Sequence, residues 1–300
     1  MPKVRKRKVP VTRTSTNTSA TKSPEATAAI IRRFHVLIKR RAQLIAQRPG
    51  RQQATLVSGN QKGKRRAIDT NAAELEQIDK EIEELGGLDE YQRMSTIGQG
   101  QDRGGGSERV LILWLQELGY GPNRPPGRMA GVTRLKLLEV GALKPDNYRS
   151  CQDWINATPM DLHSRHPEIL EQDFLLMDQD LNRAQWDVIS LSLVINFVPD
   201  AKERGKMLRI ARNMLRPDGL LFLVLPLPCV ANSRYLTFEH MQAIMSTLGF
   251  AQIKERWRHG GKMAYWLYQK TDVNENVSMT LGKKAVLRQG GSRNNFSILL

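Results

Sequence analysis

The stretch Leu137-Leu138-Glu139-Val140-Gly141-Ala142-Leu143 decides the fold. Leu135 to Val140 reads as a short, nearly continuous apolar strand closed by a glycine. Such a run suits a parallel strand covered on both faces. In a doubly wound sheet, ligands settle beyond the carboxyl ends of the strands, where the strand order reverses. Gly141 stands at that end and lets a ligand approach the backbone with no side chain in the way. It is a single glycine, so the G-x-G-x-x-G fingerprint is absent, and a lone strand-end glycine is also an ordinary turn residue.

Strand and helix patterns alternate on the C-terminal side of this segment. A second strand is expected within Asp153 to Leu162, and Trp186 to Val194 is the clearest strand. Ala201 to Leu215 reads as a helix, Arg216-Pro217-Asp218-Gly219 as a turn, and Leu220 to Leu225 as a strand. Phe238 to Leu248 reads as a helix stopped by Gly249. Ile253 to Arg258 and Met263 to Tyr268 alternate around His259-Gly260-Gly261-Lys262, a hairpin signal. The expected class is α/β: a mostly parallel sheet with helices on both faces, closed by an antiparallel hairpin.

The N-terminal side is helical. Residues 25–47 carry Ile30, Phe34, Leu37 and Leu44 at helical spacing, with Arg and Lys opposite. This helix either docks on the body or meets nucleic acid directly. Residues 48–68 read as a flexible basic linker, and Asn71 as the cap of a second helix reaching about Leu85, stopped by Gly86-Gly87. Leu88 to Gln92, a glycine-rich stretch from Ile97 to Ser107, and a third helix from Glu108 to Leu118 follow. Residues 119–132 are Gly/Pro-rich and mark a boundary. The expected organisation is a disordered basic tail (1–24), a helical region (25–132), a sheet domain (133–270) and a C-terminal extension (271–300).

Charge is uneven along the 300 residues. The chain has 46 Lys/Arg and 30 Asp/Glu, and residues 1–70 hold 18 of the basic residues against only Glu25 and Asp69. The remaining 28 basic and 28 acidic residues cancel. This pattern predicts a basic arm on a near-neutral body, and such arms meet nucleic acid or an import receptor. Pro2-Lys3-Val4-Arg5-Lys6-Arg7-Lys8-Val9 is a compact run of the nuclear-localisation kind, or else a solvated tail that adds RNA affinity. Cys151 and Cys229 make no disulfide framework, and the five histidines show no metal-ligand spacing, so no metal is expected. The start lacks an apolar stretch behind its charges, and the longest apolar run, Leu220 to Ala231, is short and broken by Pro226 and Pro228. A soluble intracellular protein without membrane attachment is expected.

Asp161 lies 20 residues beyond Gly141, at the end of the second strand. That is where a carboxylate can accept from both hydroxyls of a ribose; it could equally cap a following helix. In Gln172-Asp173-Phe174 an acid followed by an aromatic could bracket an adenine ring, or Phe174 could be core.

These elements resemble the class I S-adenosylmethionine (SAM) methyltransferases, and specifically the fungal 25S ribosomal RNA adenine-N(1) methyltransferase family. The resemblance runs from about Ile31 onward. It rests on Arg33 to Leu37, Tyr91 to Ser95, Arg103 to Ser107, Leu138 to Gly141, Leu215 to Leu220 and Arg293 to Phe296. The most specific segment is Trp186 to Pro199, with its run Ser190-Leu191-Ser192-Leu193-Val194-Ile195-Asn196-Phe197-Val198-Pro199. The resemblance implies a Rossmann-like sheet, SAM as cofactor, large-subunit ribosomal RNA as substrate and a nucleolar, hence nuclear, location; the import receptor is expected from the basic run alone. By position it implies that Gly141 meets the methionine end of SAM, Asp161 its ribose, Glu139 its amino group, and Asp173 and Phe174 its adenine. Arg103 would meet the SAM carboxylate, or else be a solvent-exposed loop arginine. Gly106 departs from the pattern, since an acidic residue is expected there. Asn196 and Phe197 follow the fourth strand, where Asn196 would bind the edge of the target adenine and Phe197 its face; alternatively Asn196 caps the next helix and Phe197 is core. Animal relatives that sense SAM suggest a second reading, a catalytically silent sensor bound to a growth-control complex. A nicotinamide-dependent enzyme is disfavoured by the single glycine and the closing hairpin.

Overall fold

The computed structural model of the chain describes residues 24–46, 61–98, 106–121, 134–164, 166–272 and 279–300. Seven strands form one sheet: β1 (Leu135–Val140), β2 (Ile155–Asp161), β3 (Leu170–Glu171), β4 (Trp186–Ser192), β5 (Leu215–Pro226), β6 (Phe250–Arg256) and β7 (Met263–Lys270). Their order is β3-β2-β1-β4-β5-β7-β6. The first five are parallel, and β7 and β6 run antiparallel at the far edge, as the hairpin signal requires. The order reverses between β1 and β4, which places Gly141 at the switch point.

Alternation along the central strands explains the two-layered core. Leu135, Leu137, Val188, Leu220, Phe222 and Val224 face α4 (Glu108–Glu117), whose Leu111, Trp114 and Leu115 complete that layer. Leu138, Val140, Ile189, Leu191, Leu221, Leu223 and Leu225 face α5 (Ala201–Met214) and α7 (Phe238–Thr247). Both faces are apolar because both are covered. A short α6 (Pro228–Ala231) follows β5.

Two local expectations need correction, and two elements are added. Arg216 to Gly219 does not separate a helix from a strand: β5 begins at Leu215, and its pairing with β4 jumps from Leu215 to Leu220, so the four residues form a bulge with Asp218 at φ +60°. The second helix, α2, runs Gln61–Glu84, so Asn71 lies inside it and part of the presumed linker is helical. Leu88 to Gln92 belong to a helix, α3 (Gly87–Gly98), that the sequence pattern did not reveal. The edge strand β3 is likewise new.

The charge division also shifts. Arg33, Arg40 and Arg41 of α1 (Pro24–Ala46) pair with Glu81, Glu74 and Asp79 of α2. A boundary at residue 70 therefore cuts a charge-matched helical hairpin in two. Drawn after α2 instead, the boundary leaves 27 Lys/Arg against 22 Asp/Glu in residues 85–300, so the body is basic rather than neutral.

Candidate active site

Gly141, at φ +78°, turns the chain sharply out of β1. Its N–H and that of Ala142 both donate to the Met160 carbonyl, at 2.8 and 2.9 Å. A Cβ here would stand 2.7 Å from a Val194 methyl, so the turn and the segment after β4 leave room for glycine alone. Leu193 holds φ +57°, a conformation that a branched residue adopts at a cost of about 1–2 kcal/mol. The two strand ends thus face one another through strained, close-set backbone, the geometry of a cradle for a ligand.

Three acids lie at or just after the carboxyl ends of β1, β2 and β3. Glu139 is buried at 9 % exposure and accepts from Asn147 Nδ2 at 2.7 Å. Burial pushes its carboxyl up to about 8 despite that hydrogen bond, and the Glu108 charge adds to the effect. Asp161 closes β2, accepts from the His163 N–H at 3.0 Å and lies 3.4 Å from Gln92 Nε2; burial raises its pKa. No helix follows Asp161 directly, so it is not a helix cap. Asp173 accepts from the Leu175 N–H at 2.8 Å and so caps a single 3-10 turn.

Phe174 is 3 % exposed and packs in the core with Leu138, Val140 and Met160. The ring therefore has almost no surface to offer a base, and the core reading of Phe174 replaces the expected adenine contact. Arg103 lies outside the described residues. Ser107 leads into α4 without capping it; its hydroxyl instead meets that of Ser192 at 2.6 Å, which brings the start of α4 to the end of β4. The Glu108 carboxylate fills the space that a side chain at position 106 would occupy, with one oxygen 1.9 Å from the would-be Cβ. An acid thus stands where Gly106 lacks one.

On the other side of β4, Asn196 is 3 % exposed and its buried Oδ1 accepts no hydrogen bond among the described residues. The cap of α5 is Asp200, which accepts from the Lys202 and Glu203 N–H groups, so Asn196 is not the cap. Phe197 meets Tyr91 edge to face at 5.4 Å, and Tyr91 stacks on Phe34 at 4.8 Å. Helices α1 and α3 therefore form a wall of the site. Gln92 donates to the His163 carbonyl at 2.9 Å beside Asp161. Tyr91, Gln92, Ser107, Glu108 and Asn147 escaped the sequence reading as site residues. Only the helical spacing of Tyr91 and Met94 hinted at a packed face.

Asn196 and Phe197 are held from behind by the C-terminal segment. Arg204 on α5 donates to the carbonyls of Val198 (2.8 Å), Pro199 (3.0 Å) and Ser297 (2.6 Å), and its guanidinium lies 4.4 Å over the Phe296 ring. Burial brings its pKa down to about 10, so it stays charged. Asn294 and Arg288 bind the carbonyls of Pro228, Val230 and Ala231 after β5.

The raised Glu139 carboxyl makes a pH prediction. Folding moves its pKa upward, so the folded chain holds a proton that the unfolded chain gives up. That stabilisation is complete below the ordinary carboxylate range and is lost as pH rises through about 8. Glu139→Gln keeps the Asn147 hydrogen bond without the charge. Its ligand-free melting temperature should match the parent at pH 5 and exceed it at pH 9, measured by calorimetry. Parallel curves for the two proteins would show that Glu139 is hydrated.

Over residues 76–298 the sequence matches the family described as 25S rRNA (adenine(2142)-N(1))-methyltransferase, Bmt2. It is 32 % identical over 279 residues to the 25S rRNA adenine-N(1) methyltransferase of Schizosaccharomyces pombe, covering 90 % of this chain and 89 % of that one. It is 34 % identical over 227 residues to the 25S rRNA (adenine(2142)-N(1))-methyltransferase of Saccharomyces cerevisiae, covering 74 % and 63 %. Among solved structures, a SAM-dependent methyltransferase from Clostridium acetobutylicum superposes with a TM-score of 0.45 at 11 % identity, covering 61 % of this chain and 99 % of that one.

Proposed function

Because the chain belongs to the family of 25S rRNA adenine-N(1) methyltransferases, we infer that it transfers the methyl group of SAM to N(1) of an adenine in large-subunit ribosomal RNA. The observation that carries the reading is the pair formed by the side-chain-free turn at Gly141, at the switch point, and the half-buried Asp161 carboxylate, at the end of the neighbouring β2. The residues fit the cofactor. Asp161 accepts from the ribose hydroxyls, Gly141 admits the methionine portion, and Glu139 offers a carboxylate to the cationic amino group. SAM supplies an electrophilic methyl on a sulfonium. A bound cation favours the charged form of Glu139, so binding there releases its proton.

Adenine N(1) carries an in-plane lone pair and needs no prior deprotonation. The work left to the protein is alignment and exclusion of water. The target base must leave its stack to reach the cleft. Asn196 Oδ1, an acceptor with no partner among the described residues, accepts a hydrogen bond from the exocyclic amine and so leaves N(1) facing the methyl. Phe197 packs on the ring face. Arg103 is assigned to the SAM carboxylate on the family pattern alone.

The substrate is made in the nucleolus, and the basic run Pro2 to Val9, outside the described residues, suits an import receptor. The family relation favours the enzyme over the sensor. Mass-spectrometric mapping of large-subunit rRNA tests the reading: one N(1)-methyladenine should vanish from cells lacking this protein and return with the parent gene. An unchanged map would overturn it.

A further inference from the structure

We propose that the tip of the β6–β7 hairpin is a second RNA contact, which stacks one unpaired base beside the target adenine and holds the adjoining phosphates. This rests on the assignment of RNA as substrate. The tip reads Lys254-Glu255-Arg256-Trp257-Arg258-His259-Gly260-Gly261-Lys262, four Lys/Arg against one Glu. Glu255 is already engaged, since it accepts from Trp266 Nε1 at 3.1 Å and from Gln252 at 3.2 Å. Lys254 pairs with Glu117 at 3.0 Å. Arg256, Arg258 and Lys262 have no ion-pair partner among the described residues. Trp257 is 45 % exposed, an unusual state for so large an apolar ring, yet it is held by stacking on Phe238 at 4.7 Å and 25°. A fixed aromatic among uncommitted cations is the pairing of stacking platform and charge that single-stranded RNA requires.

Topology puts this platform on the side of the sheet that matters. Because β7 is antiparallel to β5, its first residue, Met263, pairs with Pro226, the last of β5. The Leu227 N–H donates to the Lys262 carbonyl at 2.8 Å. The tip therefore stands beyond the carboxyl ends of the parallel strands, as do Gly141, Asp161 and Asn196. From β4, where Asn196 emerges, to β7 is two strand spacings, about 10 Å. A short run of nucleotides covers that distance. Gly260, at φ +71°, closes the turn tightly and keeps the tip short.

The test uses the full chain. Stacking of one base predicts that Trp257→Ala raises KM for an rRNA transcript about tenfold. The loss should appear in KM rather than kcat, and the SAM-induced melting shift should persist. Trp257→Phe should restore most of the affinity. Arg256→Ala/Arg258→Ala/Lys262→Ala should weaken binding of a labelled single-stranded oligoribonucleotide and flatten its log K against log salt slope by about 2. An unchanged KM and salt slope would overturn the inference, as would a loss shared by kcat and SAM binding. So would capture of polyglutamate, but not of RNA, by the parent chain. A parent chain that transfers no methyl would instead refute the enzyme reading, while the oligonucleotide titration still decides the hairpin.

Discussion

Replacing Asp161 with alanine should abolish measurable SAM binding in titration calorimetry while leaving the ligand-free fold intact. A carboxylate that accepts from two vicinal hydroxyls makes two charge-assisted hydrogen bonds, each about 1.5–3 kcal/mol. Their loss lowers affinity by at least about two orders of magnitude. The ligand-free chain, by contrast, gives up little. Asp161 accepts from the His163 N–H at 3.0 Å and, at the long distance of 3.4 Å, from Gln92 Nε2, while its burial already disfavours its charge. The melting temperature without ligand should stay within about 3 °C of the parent, whereas the rise produced by SAM should disappear. Unaltered affinity in the variant would remove the ribose role.

The second large effect is expected at Arg204, far from the cofactor. Its guanidinium ties two carbonyls of the segment after β4 to the Ser297 carbonyl. Arg204→Met fills much of the volume but donates nothing, so one buried acceptor, the Ser297 carbonyl, and two part-buried ones lose a charged partner at once. The expected loss is about 3 kcal/mol, or a fall in melting temperature of about 10 °C. Asn196 and Phe197 sit on the loosened segment, so kcat on RNA should fall more than SAM affinity, which depends on β1 and β2. Arg204→Lys should recover part of the stability. If melting temperature and kcat both matched the parent, the C-terminal segment would be mere cover.

Much of this was legible in the sequence because it follows from local rules. The apolar runs of β1 and β4, the glycine ending β1, the acid 20 residues later and the His259 to Lys262 turn each leave a pattern that period and turn chemistry can read. What stayed hidden depends on distant partners. Helix α3 has no cap signal and is flanked by glycines; it owes its place to Tyr91, wedged between Phe34 and Phe197. Gln92 looks like any surface amide until the end of β2 arrives beside it. Phe174 follows an acid just as a base-stacking ring would, and only the packing around it shows it turned inward. The charge count misled for a related reason, since acids of α2 that answer arginines of α1 stand across an arbitrary border from them.

The wall that α1 and α3 lend to the cleft bears on any attempt to shorten the chain. Trimming to residues 133–270, the stretch that looks self-sufficient, would strip Tyr91 from Phe197, Gln92 from Asp161 and Ser107 from Ser192, and would unroof the segment that Arg204 fastens. Such a fragment would expose freshly bared aromatic rings to water and carry an unfinished pocket. The smallest piece worth expressing starts ahead of Phe34 and reaches past Ile298.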